Sequence, residues 1–163
     1  MLDLGARGSN PYLDFLARQA RDAQLVCSVC TGALLLAVAG LLDGHTVTTH
    51  WAYHDVLDLF PCSVVGDYRR YVQSGNVVTG AGISSGIDEA LYLISVVRGI
   101  REARRAQLAM QYNPQPLVHC GDPAAPDIRD IPELPSKIKR EWEVDQTRIA
   151  FKEWISANRI TKA

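Results

Sequence analysis

Short apolar stretches alternate along this chain with segments whose apolar positions recur every three or four residues. After Asn10-Pro11, the residues Tyr12, Leu13, Leu16 and Ala20 lie at helical spacing. That spacing predicts an amphipathic helix over residues 11–23, with proline at its first position. Residues 24–29 are apolar and partly β-branched, the pattern of a short buried strand. Residues 31–39 are almost wholly apolar and run to Gly40, which predicts a buried helix with a glycine stop. Asp43-Gly44 marks a turn, 45–49 a β-branched strand that His50 ends, and 51–60 a short helix halted before Pro61. A strand over 63–65 and a hairpin over 70–79, turning at Ser74-Gly75-Asn76, come next. Gly80-Ala81-Gly82 then leads into a long helix over 85–97, and a second helix over 100–112 follows Gly99.

Strands alternating with helices predict an α/β fold with a mainly parallel sheet. The expected architecture is a flavodoxin-like or Rossmann-like three-layer sandwich carrying a β-hairpin and a C-terminal helical extension. The pattern changes after Asn113-Pro114, where Pro114, Pro116, Pro123, Pro126, Pro132 and Pro135 punctuate an extended stretch. Residues 137–158 then read as one charged, tryptophan-containing helix. The chain is accordingly expected to divide into a domain over 1–122 and a proline-rich linker with a C-terminal helix over 123–163.

Composition narrows the class only a little. Of 163 residues, 47% are hydrophobic and 21% charged, so the chain is long and apolar enough for one cored soluble domain. A net charge of -1 gives no pull toward nucleic acid or anionic membrane. The longest apolar run, 33–39, is too short to span a bilayer, and the first residues lack a basic, then apolar, leader pattern. Four cysteines are too sparse for a disulfide framework. A cytoplasmic protein with free thiols is expected, acting on a small molecule and touching neither nucleic acid nor membrane.

The candidate chemistry lies in VCSVCTGALLLAVAG, residues 26–40, where Cys27 and Cys30 sit three apart. A redox pair belongs at a helix start, but Cys27 falls inside the predicted strand. At about 3.3 Å per strand residue it lies about 10 Å behind Cys30, beyond disulfide reach. Zinc needs more ligands, and Cys62 and Cys120 stand alone. Two buried small hydrophobes remain the plain structural alternative. The functional reading is a single nucleophile, Cys30, lifted by a strand-to-helix turn to the carboxyl edge of the sheet. Backbone N–H groups of Thr31 and Gly32 would face a developing negative charge there, and Gly32 allows close packing.

Three rival constellations are weaker. Gly82-Ile83-Ser84-Ser85-Gly86 satisfies GxSxG, but a triad would have to borrow His119 from the proline-rich stretch, and a helix entry capped by Ser84 or Ser85 is simpler. His50 and His54 are four apart, with Asp55 and Asp58 nearby, yet His50 ends a strand rather than sharing a helix face. Arg98, Arg101, Arg104 and Arg105 read as a solvated helix face around Glu102 rather than a nucleic-acid contact. Trp51, Trp142 and Trp154 read as packing residues.

The run SVCTGALLLAVAGLLDGHTVTTHW, with NVVTGAGISSGIDEAL and QYNPQP beyond it, resembles the PfpI/ThiJ superfamily, a class I glutamine amidotransferase-like group, and within it the isonitrile hydratase family. The resemblance covers about residues 5–122. It implies that Cys30 is the nucleophile, that Thr31 orients substrate or supplies an oxyanion N–H, and that His50 tunes the pocket. It also implies that Gly5 and Gly8 are the remnant of a glycine-rich, substrate-lining loop, that no cofactor or metal takes part, and that the protein is a homodimer. Asp88 matches the family's acidic position and is expected to support a helix start. The implied reaction is hydration of an isonitrile to an N-substituted formamide through a covalent thioimidate. Related chains suggest two other roles: an amidase-like ligand-sensing domain of the kind found in AraC-type transcription regulators, and a cysteine-based stress or glyoxalase-type protein. The family begins with strands, a loop and an acidic residue that nothing before Gly5 supplies, so the later part of the fold is expected here.

Overall fold

The computed structural model of the protein describes residues 10–162. Helix α1 (Pro11–Ala20) starts where the sequence places it: Asn10 Oδ1 accepts from the backbone N–H of Tyr12 at 3.0 Å and of Leu13 at 3.3 Å. Strand β1 (Val26–Val29) and helix α2 (Gly32–Val38) are joined by Cys30-Thr31. Strand β2 (Thr46–Val47) leads through a 3₁₀ turn (Trp51–Tyr53) into the four-residue helix α3 (His54–Leu57). Strands β3 (Ser63–Val64), β4 (Tyr71–Ser74) and β5 (Val77–Gly80) precede helices α4 (Ser85–Arg98) and α5 (Ile100–Ala109). A 3₁₀ turn (Pro126–Asp130) interrupts the proline-rich stretch, and helices α6 (Leu134–Glu141) and α7 (Val144–Ala157) follow.

The protein is α/β, with two small sheets among the described residues. One has the order β1-β5-β4, and the other pairs β2 with β3. Strands β1 and β5 run parallel, with Val26 opposite Val77 and Val29 opposite Gly80. Strands β4 and β5 form the expected antiparallel hairpin, turned by Gly75 at φ 60. The larger sheet is therefore mixed. Successive β1 side chains serve different helices: a β-carbon on Gly32 of α2 would meet Ser28, and one on Gly86 of α4 would meet Val29.

Three expectations need correction. The strand over 45–49 shrinks to two residues, because Thr48 N–H turns aside to the Thr79 hydroxyl (2.8 Å) and Thr49 turns to Cys30; His50 therefore caps a 3₁₀ turn instead of ending a strand. The helix over 51–60 is that turn plus one turn of α-helix. The helix over 137–158 is two helices, because Glu143 adopts a left-handed conformation at φ 50 and turns the chain between Trp142 and Val144. The break is what lets α7 pack: Val144 is buried, and Phe151, Trp154 and Ile155 lie against the core that holds Leu42, Val56, Leu57 and Phe60. The Phe60 ring meets Phe151 edge-on at 5.5 Å and Trp154 at 6.4 Å.

Helix α4 inverts the usual amphipathic rule. Its buried residues are Ser85 and Glu89, one helical turn apart, while Ile87, Val96 and Val97 are exposed. Among the described residues no helix is long and apolar enough to cross a membrane.

Candidate functional site

The peptide direction at Cys30 is set by its neighbours on three sides. Cys30 has φ 57, a left-handed conformation that costs a residue with a β-carbon about 1–3 kcal/mol. Its N–H donates to Gly80 O at 3.1 Å, so β5 carries the ladder one residue past the end of β1. Its carbonyl accepts from Thr49 Oγ1 at 2.8 Å and from Ala33 N–H at 3.3 Å. Thr49 is wholly buried, so its end of the clamp is shielded from water, while Cys30 itself is half-buried. The strand-to-helix bend expected from the sequence is thus present, held by a buried threonine clamp that the sequence did not reveal. Thr48, Thr49 and Thr79 read only as β-branched strand residues.

Cys30 is half-buried and Cys27 exposed; all four cysteines are free. Thr31, helical at φ −66, is exposed at the mouth of α2, and Gly32 follows inside it. His50 is nine-tenths buried. Its Nδ1 accepts from Ala52 N–H at 3.2 Å, so the neutral ring carries its proton on Nε2. Burial, and then the nearby His54, push the His50 pKa below its ordinary value. The Trp142 ring lies 4.8 Å from the His50 ring, and the Tyr53 hydroxyl donates to Trp142 O at 3.1 Å. The α6–α7 break therefore rests on the turn that holds His50. Tyr53 has its pKa raised by burial, then by the charges of Cys30 and Glu143. Gly5 and Gly8 lie outside the described residues.

Asp88 lies in the first turn of α4, the helix start it was expected to support. It takes Arg70 Nη2 at 2.5 Å, Arg70 Nε at 2.7 Å and the Tyr112 hydroxyl at 2.9 Å, while Arg70 Nη1 reaches Ser84 Oγ at 2.9 Å. Ser84 makes no cap bond and Ser85 is buried, donating to Gly82 O at 2.6 Å, so neither is poised as a nucleophile. Arg98, Arg101, Arg104 and Arg105 are exposed, and Arg105 pairs with Glu102 at 3.6 Å. His54 Nε2 bonds Thr49 O at 3.2 Å, and among the described residues no three His, Cys, Asp or Glu side chains are grouped to hold a metal.

Sequence reasoning also missed Glu89. It is 2% exposed, and among the described residues neither carboxyl oxygen has a hydrogen-bond partner. Burial pushes its pKa from 4.5 to about 7. The carboxyl fills the space above Gly80, the residue whose carbonyl holds the Cys30 N–H; a β-carbon at Gly80 would collide with it. The Cys27 thiol feels it too: although the residue is exposed, partial desolvation and then Glu89 raise its pKa. Only a helical pattern read in reverse would have marked this residue.

The geometry has relatives. The chain is 48% identical over 111 residues to an isonitrile hydratase of Pseudomonas putida, a match covering 68% of this chain and 48% of that one. It is 35% identical over 89 residues to the HTH-type transcriptional regulator GbdR of Pseudomonas aeruginosa, covering 54% of this chain and 24% of the regulator. The chain thus spans about half the length, or less, of these two curated relatives. Among solved structures, a ThiJ/PfpI family protein from Pseudomonas syringae superposes with a TM-score of 0.73 at 32% identity, covering 89% of this chain and 60% of that one. The sequence model of the DJ-1/PfpI family matches residues 5–95, more than half of the 163, and takes in β1, the Cys30 bend, His50 and the start of α4. The chain belongs to the DJ-1/PfpI family.

Proposed function

We propose that the protein hydrates isonitriles to N-substituted formamides with Cys30 as nucleophile. The observation that carries this reading is the left-handed Cys30 at the strand-to-helix bend, clamped by Gly80 and Thr49. A cysteine held in so costly a conformation fits a side chain that must be presented rather than packed. The likeness to an isonitrile hydratase supplies the reaction class.

The Cys30 thiolate adds to the terminal carbon of R–NC, forming a C–S bond. A proton delivered to that carbon gives the thioimidate, Cys30–S–CH=N–R. Water adds across the C=N bond, its oxygen to carbon and a proton to nitrogen. The C–S bond then breaks as the hydroxyl gives its proton to water, replacing the one taken up at carbon; the thiolate departs, and HC(O)–NH–R leaves. The first N–H groups of α2 have no helical carbonyl to bond, so Thr31 and Gly32 face the atom on which charge develops. His50, neutral at pH 7, acts as a hydrogen-bond donor through Nε2. The three-layer arrangement belongs to this reading, with α2 and α4 meeting alternate β1 side chains.

Formation of the formyl proton signal from benzyl isonitrile, followed by NMR, tests the proposal. Turnover lost in Cys30→Ala by about a thousandfold is expected. Equal turnover by both chains would sink it. The 35% identity to the regulator favours a second reading, in which the same pocket binds a ligand without converting it. There the Cys30 bend serves as a binding site only, Cys30→Ala retains ligand binding and neither chain produces formamide.

A further inference from the structure

Helices α4 and α5 pack together across Gly99, whose φ of 90 turns the chain between them, and with β4 they border a cavity of about 350 Å³. None of its lining residues belongs to the Cys30 bend, to α2 or to the turn that holds His50. We propose that this cavity is a second binding site, for a small aromatic compound carrying one negative charge. Arg104 is the partner of the charge, and the tyrosine-lined wall seats the ring. The proposal is independent of the isonitrile reading.

Helical spacing builds the wall. On α4, Asp88, Leu91, Tyr92 and Ser95 recur every three or four residues and share a face; on α5, Ile100, Ala103, Arg104 and Gln107 do the same. Ala103 is buried within the α5 face and contributes only a methyl group there, which leaves the space open. Strand β4 supplies Tyr71, whose ring stacks on that of Tyr92 with centroids 4.7 Å apart. Ile100 leaves 60% of its surface uncovered, apolar area that a ligand would take out of water. The volume lies at the small end of ligand sites, which span about 300–1,000 Å³, so it suits one or two fused rings rather than a long chain.

The formal charges in the wall are Arg70, Asp88 and Arg104, and they do not cancel. Asp88 is held three times, by Arg70 Nε at 2.7 Å, Arg70 Nη2 at 2.5 Å and the Tyr112 hydroxyl at 2.9 Å. Arg70 Nη1 reaches Ser84 Oγ at 2.9 Å, so the pair is spent. Neutral polar groups are engaged as well. The Tyr92 hydroxyl donates to Gln73, the Ser95 hydroxyl to Tyr92 O at 2.6 Å and Gln107 Nε2 to Tyr112 O at 3.3 Å. Arg104 differs: among the described residues no carboxylate lies within ion-pair distance of it. Its neighbours one turn away on α5 are Ile100, Arg101, Gln107 and Leu108, none of them acidic. Glu102, the one acidic residue of α5, is taken by Arg105 at 3.6 Å. The wall thus carries one unmatched positive charge beside aromatic and apolar surface. A surface arginine alone holds an anion weakly. A ligand that joins a ring to the anion engages both features at once, with a charge-assisted hydrogen bond added to apolar burial. A second negative charge would find only the Asp88 carboxylate without a free cation, which limits the ligand to one.

NMR titration of isotope-labelled full-length chain with 2-naphthoate tests the proposal. Saturable shifts are expected at amides of α4, α5 and Tyr71. Naphthalene-2-carboxamide, the same shape without the charge, should bind about tenfold or more weakly. Arg104→Gln, at an exposed position, should weaken naphthoate about tenfold and leave the carboxamide unchanged. Arg104→Lys keeps the charge and should retain more naphthoate affinity than Arg104→Gln. Ile100→Ser removes apolar wall and should weaken both compounds about threefold or more. The proposal is overturned by no saturable binding, by equal affinity for the two compounds, or by wild-type naphthoate affinity in Arg104→Gln. Shifts confined to the Cys30 bend and the His50 turn overturn it too. Acetate moving the same amides as strongly as naphthoate would reduce the site to a bare surface charge, and the assignment of an aromatic ligand would fail.

Discussion

Replacing Glu89 by glutamine should make the stability of the protein less dependent on pH. The residue is 2% exposed, its carboxyl has no hydrogen-bond partner among the described residues, and its pKa rises from 4.5 to about 7 on folding. A raised carboxylate pKa means that the folded chain holds the proton more tightly than the unfolded one. Below the unfolded value both states are protonated and the group contributes nothing. Between 4.5 and about 7 the unfolded chain releases its proton first, so folding stability falls as pH rises. Above that window the full penalty applies, about 3 kcal/mol at 1.36 kcal/mol per pKa unit. Between pH 5 and pH 8 the same linkage gives a loss of about 2.5 kcal/mol. Glutamine keeps the shape and cannot ionise. Urea unfolding followed by circular dichroism at the two pH values, for both chains, isolates the effect, because every other titrating group is common to both. The stability of wild type relative to Glu89→Gln should drop by about 2.5 kcal/mol from pH 5 to pH 8. A difference that stays constant across that range would refute the reasoning, since Glu89 would then be ionised in a solvated or paired state.

Cys30→Gly should be more stable than Cys30→Ala by about 1 kcal/mol, because only glycine occupies φ 57 without strain; denaturant midpoints that coincide would deny the strain. Thr49→Val removes one of the two donors to the Cys30 carbonyl, leaving Ala33 N–H, and should cost about 0.5–1.5 kcal/mol in the same assay. In a thiol count with Ellman's reagent at pH 8, Cys62, buried with its pKa pushed up to about 11, should react only after unfolding, whereas exposed Cys27 should react in the native protein. Phe60→Ala should cost about 3–5 kcal/mol, as it empties the contact between the core and Phe151 and Trp154.

The bend at Cys30 was legible because a short apolar, partly β-branched run gives way there to a helical apolar run, with Gly32 allowing close approach. The hairpin was legible from Ser74-Gly75-Asn76 between β-branched runs. The α6–α7 break was not, because Glu143 carries neither the ring of proline nor the freedom of glycine, and only tertiary packing of Val144 and Trp142 imposes its left-handed turn. The two-residue β2 was hidden for a similar reason. Thr48 and Thr49 favour a strand locally, but their hydrogen bonds are taken by Thr79 and Cys30 across the fold. Glu89 was hidden because α4 buries its polar turn and exposes isoleucine and valine, and a rule that places apolar residues inside cannot find that face.

The contact between Trp142 and the His50 turn joins residues far apart in the chain; the Tyr53 to Trp142 hydrogen bond alone spans 89 positions. A nascent polypeptide emerges from the ribosome amino end first, so the cysteine bend can form while the residues that brace His50 are still being translated. The pocket thus matures only with the final two helices, and a chain released early would carry the thiol without the braced histidine beside it.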